Sequence, residues 1–180
     1  MPMPSMSSTG PHVRPARSGD VDAVLTFLSE VFAGDETLPD RVELEACLRS
    51  GASYLLVAVE GRTVVGVVLL RDLAFRPWTV CAFLGVAPEG RGRGIGAALL
   101  RAALQIARRP LFRLWVRASN APARRLYEAH GWRVWARHAA HYPDGCDGLV
   151  MMRWMGWTRG VQAAATVRGR ARKPDALSLP

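Results

Sequence analysis

Lysine is almost missing from this chain, with Lys173 the one copy among 24 lysines and arginines. That removes the nucleotide P-loop, whose Gly-x-x-x-x-Gly-Lys-Ser/Thr pattern needs a lysine against the phosphates. Cysteine is scarce too. Cys47, Cys81 and Cys146 are odd in number and far apart, and no pair has the short spacing of a zinc site, so they read as reduced thiols and no metal is expected. No apolar run approaches the length of about 18 residues that a membrane helix needs, and the N-terminus lacks a secretion signal's basic start and hydrophobic stretch. A cytoplasmic protein without a membrane partner is expected.

What is present is enough for one domain with a real core: 180 residues, 49% hydrophobic and 22% charged. The net charge of +9 is unevenly placed. Arg159, Arg168, Arg170, Arg172 and Lys173 stand against Asp175 in the last residues, where no aromatic is available to stack on bases. A solvated tail is therefore favoured over a nucleic-acid arm. Residues 18 to 46 carry Asp20, Asp22, Glu30, Asp35, Glu36, Asp40, Glu43 and Glu45 against Arg41. The expected organisation is a disordered segment over 1–11, a folded domain over 12–157 and a basic, disordered tail over 158–180.

The chain is organised around Val86-Ala87-Pro88-Glu89-Gly90-Arg91-Gly92-Arg93-Gly94-Ile95-Gly96, a strand end, a turn with glycine at every second position, and an amphipathic continuation. The first turn of a helix leaves about four N–H groups unpaired, and the helix dipole adds roughly half a positive charge there. Glycines let an anion approach the backbone and permit positive φ, while Arg91 and Arg93 add charge at the rim. A diphosphate suits this loop. A dinucleotide fingerprint through Gly92, Gly94 and Ala97 needs an acidic residue about 20 positions on, where the sequence has Arg113, Trp115 and Arg117.

Around the loop, the spacing predicts a strand over 13–17 and a helix from Val21 to Phe32 capped by Ser18 or Asp20 and stopped at Gly34. A second helix follows over 39–49. A hairpin of strands over 54–59 and 63–70 and a third strand over 78–86 come next. The helix after the loop, with Ile95, Leu99, Ala102, Ala103 and Ile106 on one face, is expected to end in Arg108-Arg109 before Pro110. A strand over 111–117 leads to Asn120 as a helix cap, with Gly131 as the C-cap and Trp132 packing beyond it. Strands over 132–141 and 149–154, joined by the turn Tyr142-Pro143-Asp144-Gly145, complete an α+β (mixed α/β) domain.

Two motifs in this order carry a family resemblance. Arg91-Gly92-Arg93-Gly94-Ile95-Gly96 fits Arg/Gln-x-x-Gly-x-Gly/Ala, and about 25 residues later Leu114-Trp115-Val116-Arg117-Ala118-Ser119-Asn120 leads to Ala123, Leu126-Tyr127 and Gly131-Trp132. The pair resembles the GNAT superfamily of acetyl-CoA-dependent N-acetyltransferases over roughly Val13 to Trp154. The resemblance implies a mixed, mostly antiparallel, splayed sheet of about six or seven strands flanked by about four helices. It also implies acetyl-CoA as co-substrate and a small-molecule or peptide amine as acceptor. Monomer and homodimer stay open.

By the same resemblance, Leu84, Gly85 and Val86 line the pantetheine arm, with the oxyanion donor at the N–H of Leu84 or Val86. Residues 91–96 hold the diphosphate, Asn120 bonds the pantetheine, and Tyr127 is the general acid. The general base is left open among Asp35, Glu36, Asp72, His138 and His141, because the ribosomal-protein type of N-terminal acetyltransferase has a glutamate where this chain has Trp115. Clustered carboxylates in the first two helices, Asp35 and Glu36 foremost, are expected to attract a cationic amine. A catalytically silent acyl-CoA-binding domain and a basic RNA- or ribosome-binding module remain as alternatives.

Overall fold

A computed structural model describes residues 11–33 and 38–156, which form one seven-stranded sheet with helices on both faces. In chain order the elements are β1 (His12–Pro15), α1 (Val21–Val31), α2 (Arg41–Arg49), β2 (Ser53–Glu60), β3 (Thr63–Asp72), β4 (Trp78–Val86), α3 (Ile95–Ile106), β5 (Leu111–Arg117), α4 (Ala121–Ala129), β6 (Arg133–His138) and β7 (Gly148–Trp154). The strands lie in the order β1-β2-β3-β4-β5-β7-β6. Every neighbouring pair is antiparallel except β4 and β5, which α3 joins by a crossover. No helix among the described residues is long and apolar enough to cross a membrane.

Strand alternation sorts the apolar residues into two cores. Leu56, Val68, Leu70, Phe112, Leu114 and Met151 pack against Ile95, Leu99 and Leu100 of α3 and Tyr127 of α4. Leu55, Val57, Val67 and Leu69 point the other way, onto Val24, Phe27 and Leu28 of α1 and Leu44 of α2. The second layer stops short. The helices α1 and α2 cover β2 and β3, whereas the same face of β5, β7 and β6 carries Arg113, Trp115 and His138 and has no helix over it among the described residues.

Local chemistry explains most element ends. Asp40 accepts a hydrogen bond from the Glu43 N–H at 2.8 Å, and Asn120 accepts one from Ala123 N–H at 3.1 Å, which starts α2 and α4. After α4, Gly131 turns to φ 88°, Trp132 N–H donates to Tyr127 C=O at 3.1 Å and Gly131 N–H donates to Glu128 C=O at 3.1 Å. This Schellman closure sends Trp132, fully buried, edge-on onto Phe112 at 5.4 Å.

Most element ends fall within two residues of expectation, and three local features differ for identifiable reasons. The helix α3 ends at Ile106 rather than at Arg108-Arg109: Ala107 is already extended, and the restriction that Pro110 places on the residue before it, Arg109, keeps the helix from resuming. Asp20 does not cap α1: its carboxylate turns back to Arg17 N–H at 2.7 Å and to the Arg14 guanidinium at 2.7 and 2.8 Å. Finally, β6 runs only over Arg133–His138, since Trp132 belongs to the core. Ala140 (φ 47°) is held in a turn by its N–H donating to Asp147 at 3.0 Å. Gly34 lies outside the described residues.

Candidate active site

The glycine loop is shaped for something placed against α3. Gly90 is buried, and a Cβ there would stand 2.9 Å from Ile95 Cδ1 and 3.2 Å from Val86 Cγ1, so this glycine is needed for packing. Gly92 and Gly94 differ. Both have positive φ, 74° and 79°, and nothing lies within 4 Å of where their Cβ atoms would be. The first helical bond of α3 runs from Ala98 N–H to Gly94 C=O at 2.9 Å, no side chain caps the helix, and its first turn has no acidic residue. The N–H groups of Ile95, Gly96 and Ala97 therefore face outward at the positive end of the dipole. A Cβ on Gly96 would stand 3.3 Å from Leu126 Cδ2, 3.6 Å from Val86 Cγ2 and 4.0 Å from Leu84 Cδ2, so this end of α3 lies close to both β4 and α4.

The two arginines of the loop are not equivalent. Arg91 donates from Nε to Val86 C=O at 3.4 Å and is otherwise exposed. Arg93 is paired with Glu60 at the end of β2, one of its bonds measuring 3.1 Å, and the guanidinium holds the Glu60 carboxyl below its usual range. It is a fixed charge rather than the free one expected.

Beside the loop the sheet opens. The parallel β4–β5 ladder has four rungs, Trp78↔Leu111 to Cys81↔Leu114, after which β4 continues to Val86 and β5 to Arg117. Ala87 N–H donates to Val65 C=O on β3, so by strand alternation the peptide groups of Leu84 and Val86 turn toward the opening. Gly85 faces α1, where a Cβ would stand 2.6 Å from the Phe32 ring.

Tyr127 sits at the apex. Projecting from the last turn of α4, it is 6% exposed, has no hydroxyl hydrogen bond among the described residues, and lies near enough to Cys81 and Tyr142 to be coupled to both. Burial first, and then those neighbours, pushes the phenol well above its ordinary pKa. Burial likewise drives the Cys81 thiol up to about 12. Neither thiolate nor phenolate exists there at neutral pH. Asn120 spends its side-chain oxygen on the α4 cap, leaving its amide NH2 available.

On the opposite face of the opening, side chains dominate. Trp115, the first β5 residue past the last rung, stacks on His141 with ring centres 4.1 Å apart and planes 6° apart, and lies 4.9 Å from His138. Arg117 donates to Asp144 at 2.7 and 2.8 Å and lies 4.0 Å from the Tyr142 ring centre. It holds the Asp144 carboxyl below its usual range, while the Ala140 N–H, and then Arg137, do the same for Asp147.

The sequence and the fold are similar to those of known proteins. Residues 21–132 match the Acetyltransferase (GNAT) family. The chain belongs to this family. N-alpha-acetyltransferase RimI of Mycobacterium tuberculosis is 33% identical over 129 residues, 69% of this chain and 80% of that protein. The putative [ribosomal protein bS18]-alanine N-acetyltransferase of Bacillus subtilis is 29% identical over 145 residues, 77% and 92% of the two chains. The ribosomal-protein-S18-alanine N-acetyltransferase of Escherichia coli superposes with a TM-score of 0.69 at 18% identity over 82% of this chain and 95% of that one, a likeness of fold.

GNAT enzymes draw their acetyl group from acetyl-CoA, and the donor side of this one fits that molecule: unpaired α3 amides, open space at Gly92 and Gly94, and no carboxylate in the first helical turn. Three of the eight carboxylates in the acidic segment are ion-paired. Asp20 pairs with Arg14, Asp22 with Arg41, and Glu45 lies 3.8 Å from both Arg41 and Arg49, while Asp40 caps α2. Asp35 and Glu36 lie outside the described residues. Asp72 is the last residue of β3, at the end of the sheet away from the glycine loop, accepting from Thr79 Oγ1 at 2.6 Å and from Tyr54 at 3.4 Å, so it is a strut. Sequence reasoning missed Glu60, and it missed Arg71, Trp78 and Arg113 on the uncovered face. The alternation Arg113, Trp115, Arg117 between Phe112, Leu114 and Val116 was a signal for the last of these.

Proposed function

We propose that this GNAT enzyme acetylates the α-amine of a polypeptide N-terminus by direct attack on acetyl-CoA in a ternary complex. The observation that carries the reading is the β4–β5 split, with the bare α3 terminus and Tyr127 on one side and a ring-lined approach on the other. The relatives named for N-alpha and ribosomal-protein alanine acetylation support the acceptor. So does the base problem. An α-amine has a pKa of about 8 against about 10.4 for lysine, so it needs much less help to lose its proton where the described residues offer no free carboxylate at the mouth.

In this reading the α3 amides with Gly92, Gly94 and Arg91 hold the diphosphate, and the Asn120 amide bonds the pantetheine arm. The peptide N–H groups of Leu84 and Val86 receive the oxyanion that forms when the amine nitrogen attacks the thioester carbon. As the carbon–sulfur bond breaks, Tyr127 gives its proton to the departing thiolate. The amine's surplus proton goes to His141, whose ring lies against Trp115 at the mouth, with His138 beside it. Asp144 and Asp147 serve poorly as bases, because their partners hold them in the ionised, weakly basic form.

A second reading, an acyl-CoA-binding domain without turnover, draws on Trp115 occupying the mouth. Calorimetric titration with acetyl-CoA followed by thiol release over alanine-starting peptides, free lysine derivatives and polyamines separates the two. Turnover of peptides alone supports N-terminal acetylation. Binding with no turnover of any amine favours the second reading.

A further inference from the structure

On the uncovered face, running from Arg113 near the mouth toward the closed end of the β4–β5 ladder, lies a row of cationic and N–H groups without anionic partners among the described residues. Cross-strand register puts Arg71 of β3 opposite Val80 of β4, and Val80 beside Arg113 of β5, all pointing to the same side. Trp78, two residues before Val80, shares that side. The Arg113 guanidinium stands 5.9 Å from the Trp78 ring centre and 5.7 Å from that of Trp115, while Arg76 covers Trp78 at 5.6 Å. Among the described residues none of Arg71, Arg76 and Arg113 has a carboxylate within salt-bridge reach. Among the described residues the Arg71 Nε and Trp78 Nε1 donors are shielded from water and have no hydrogen-bond acceptor.

Buried donors in folded proteins are nearly always paired, and two orphans beside an uncompensated guanidinium call for an acceptor group brought in from outside. We propose that Arg71, Trp78 and Arg113 form a subsite for an acidic side chain of the peptide acceptor. This rests on the N-terminal acetylation reading and adds the substrate's charge to it. Position follows from strand geometry. Arg113 is two residues before Trp115, about 6.6 Å along β5 at roughly 3.3 Å per residue, and an extended peptide covers that distance in two residues. With its amine at the mouth, the peptide places its second or third residue over Arg113. An Asp or Glu there meets the Arg113 guanidinium at one end of the row that Trp78 and Arg71 extend, whereas a Lys or Arg meets like charge.

The test uses the full chain and hexapeptides that share an N-terminal alanine and carry Glu, Gln or Lys at position two or three, read by thiol release and mass spectrometry. Charge-assisted bonds of this kind predict kcat/KM about tenfold higher for Glu than for Gln, carried by KM, with Lys lower still. Arg113→Gln should flatten the order and Arg113→Glu should invert it, with folding checked by circular dichroism. A wild-type enzyme that treats the three peptides alike, or prefers Lys, overturns the subsite and leaves N-terminal acetylation standing. A Glu preference that survives both Arg113 substitutions and Arg71→Gln overturns it as well. Turnover of no peptide removes both the subsite and the reading beneath it.

Discussion

The two sides of the β4–β5 split are built from different material. On the α3 and α4 side the groups that face the opening are mostly backbone: first-turn amides of α3, peptide groups of Leu84 and Val86, and a loop whose Gly92 and Gly94 adopt positive φ. On the other side they are side chains on alternate positions of β5, at the end of β6 and on the β6–β7 connection, namely Arg113, Trp115, His138 and His141. A backbone site depends on one contiguous stretch holding its conformation and tolerates little change within it. A side-chain face depends on which residues occupy outward positions, and any of them can change without disturbing a core that lies on the opposite face. Donor binding is thus the part a family can hold fixed while the acceptor varies, and each substitution below tests that division.

The largest effect belongs to Gly94→Glu. It puts a carboxylate against the α3 amides and forces a side chain into a φ of 79°, a strain of roughly 1–2 kcal/mol. Exchanging attraction for repulsion at a diphosphate should cost about 3 kcal/mol or more, a loss in acetyl-CoA affinity of about 100-fold. Calorimetry on a sample with unchanged circular dichroism measures it. Undiminished affinity would mean that the backbone side does not hold the donor.

Tyr127→Phe comes next. Loss of a positioned proton donor typically costs about 100-fold or more in kcat, with acetyl-CoA affinity little changed because the ring and its packing stay. The raised pKa fixes the pH behaviour. A phenol pushed above its ordinary value stays protonated throughout the assay range, so the wild-type rate should show no alkaline fall centred near 10. Such a fall, lost in the variant, would place the tyrosine in a far more open setting than the one described.

The division also decides what was legible in the sequence. Glycine spacing with an amphipathic continuation announces a strand, loop and helix locally, and β4, β5 and the start of α3 lie where periodicity put them. The Asn120 cap and the Gly131-Trp132 closure were equally readable, because each is a bond between residues three to five apart. What escaped depends on strand neighbours. The Glu60–Arg93 pair spans 33 positions, the Arg71–Val80–Arg113 row crosses three strands, and the acidic segment is answered in part by Arg14, which precedes it on β1. Composition shows how many charges there are, but pairing depends on topology.

On the side-chain half, His141→Ala should lower kcat/KM for an alanine-starting peptide about tenfold to 100-fold at pH 7. The defect should shrink toward nothing above pH 9, where an α-amine with a pKa of about 8 is already neutral. That recovery is what a merely structural role would not produce, since a collapsed Trp115 stack would depress the rate at every pH. His138→Ala, farther from the parallel stack, should give a smaller defect of the same form.

The smallest effect tests the one side chain that the backbone side has tied up. Glu60→Gln releases Arg93, whose guanidinium is exposed and held on the β2–β3 hairpin rather than over the loop. Pairs of this exposed kind are weak, so stability should barely move. A freed cation at the rim should instead lower KM for acetyl-CoA by about two- to threefold at low ionic strength, an advantage that disappears at about 1 M salt, where the Debye length is about 3 Å. A rise in KM would carry the opposite meaning: Glu60 would then be aiming Arg93 at the donor, and the donor side would owe part of its affinity to a side chain placed by a distant strand.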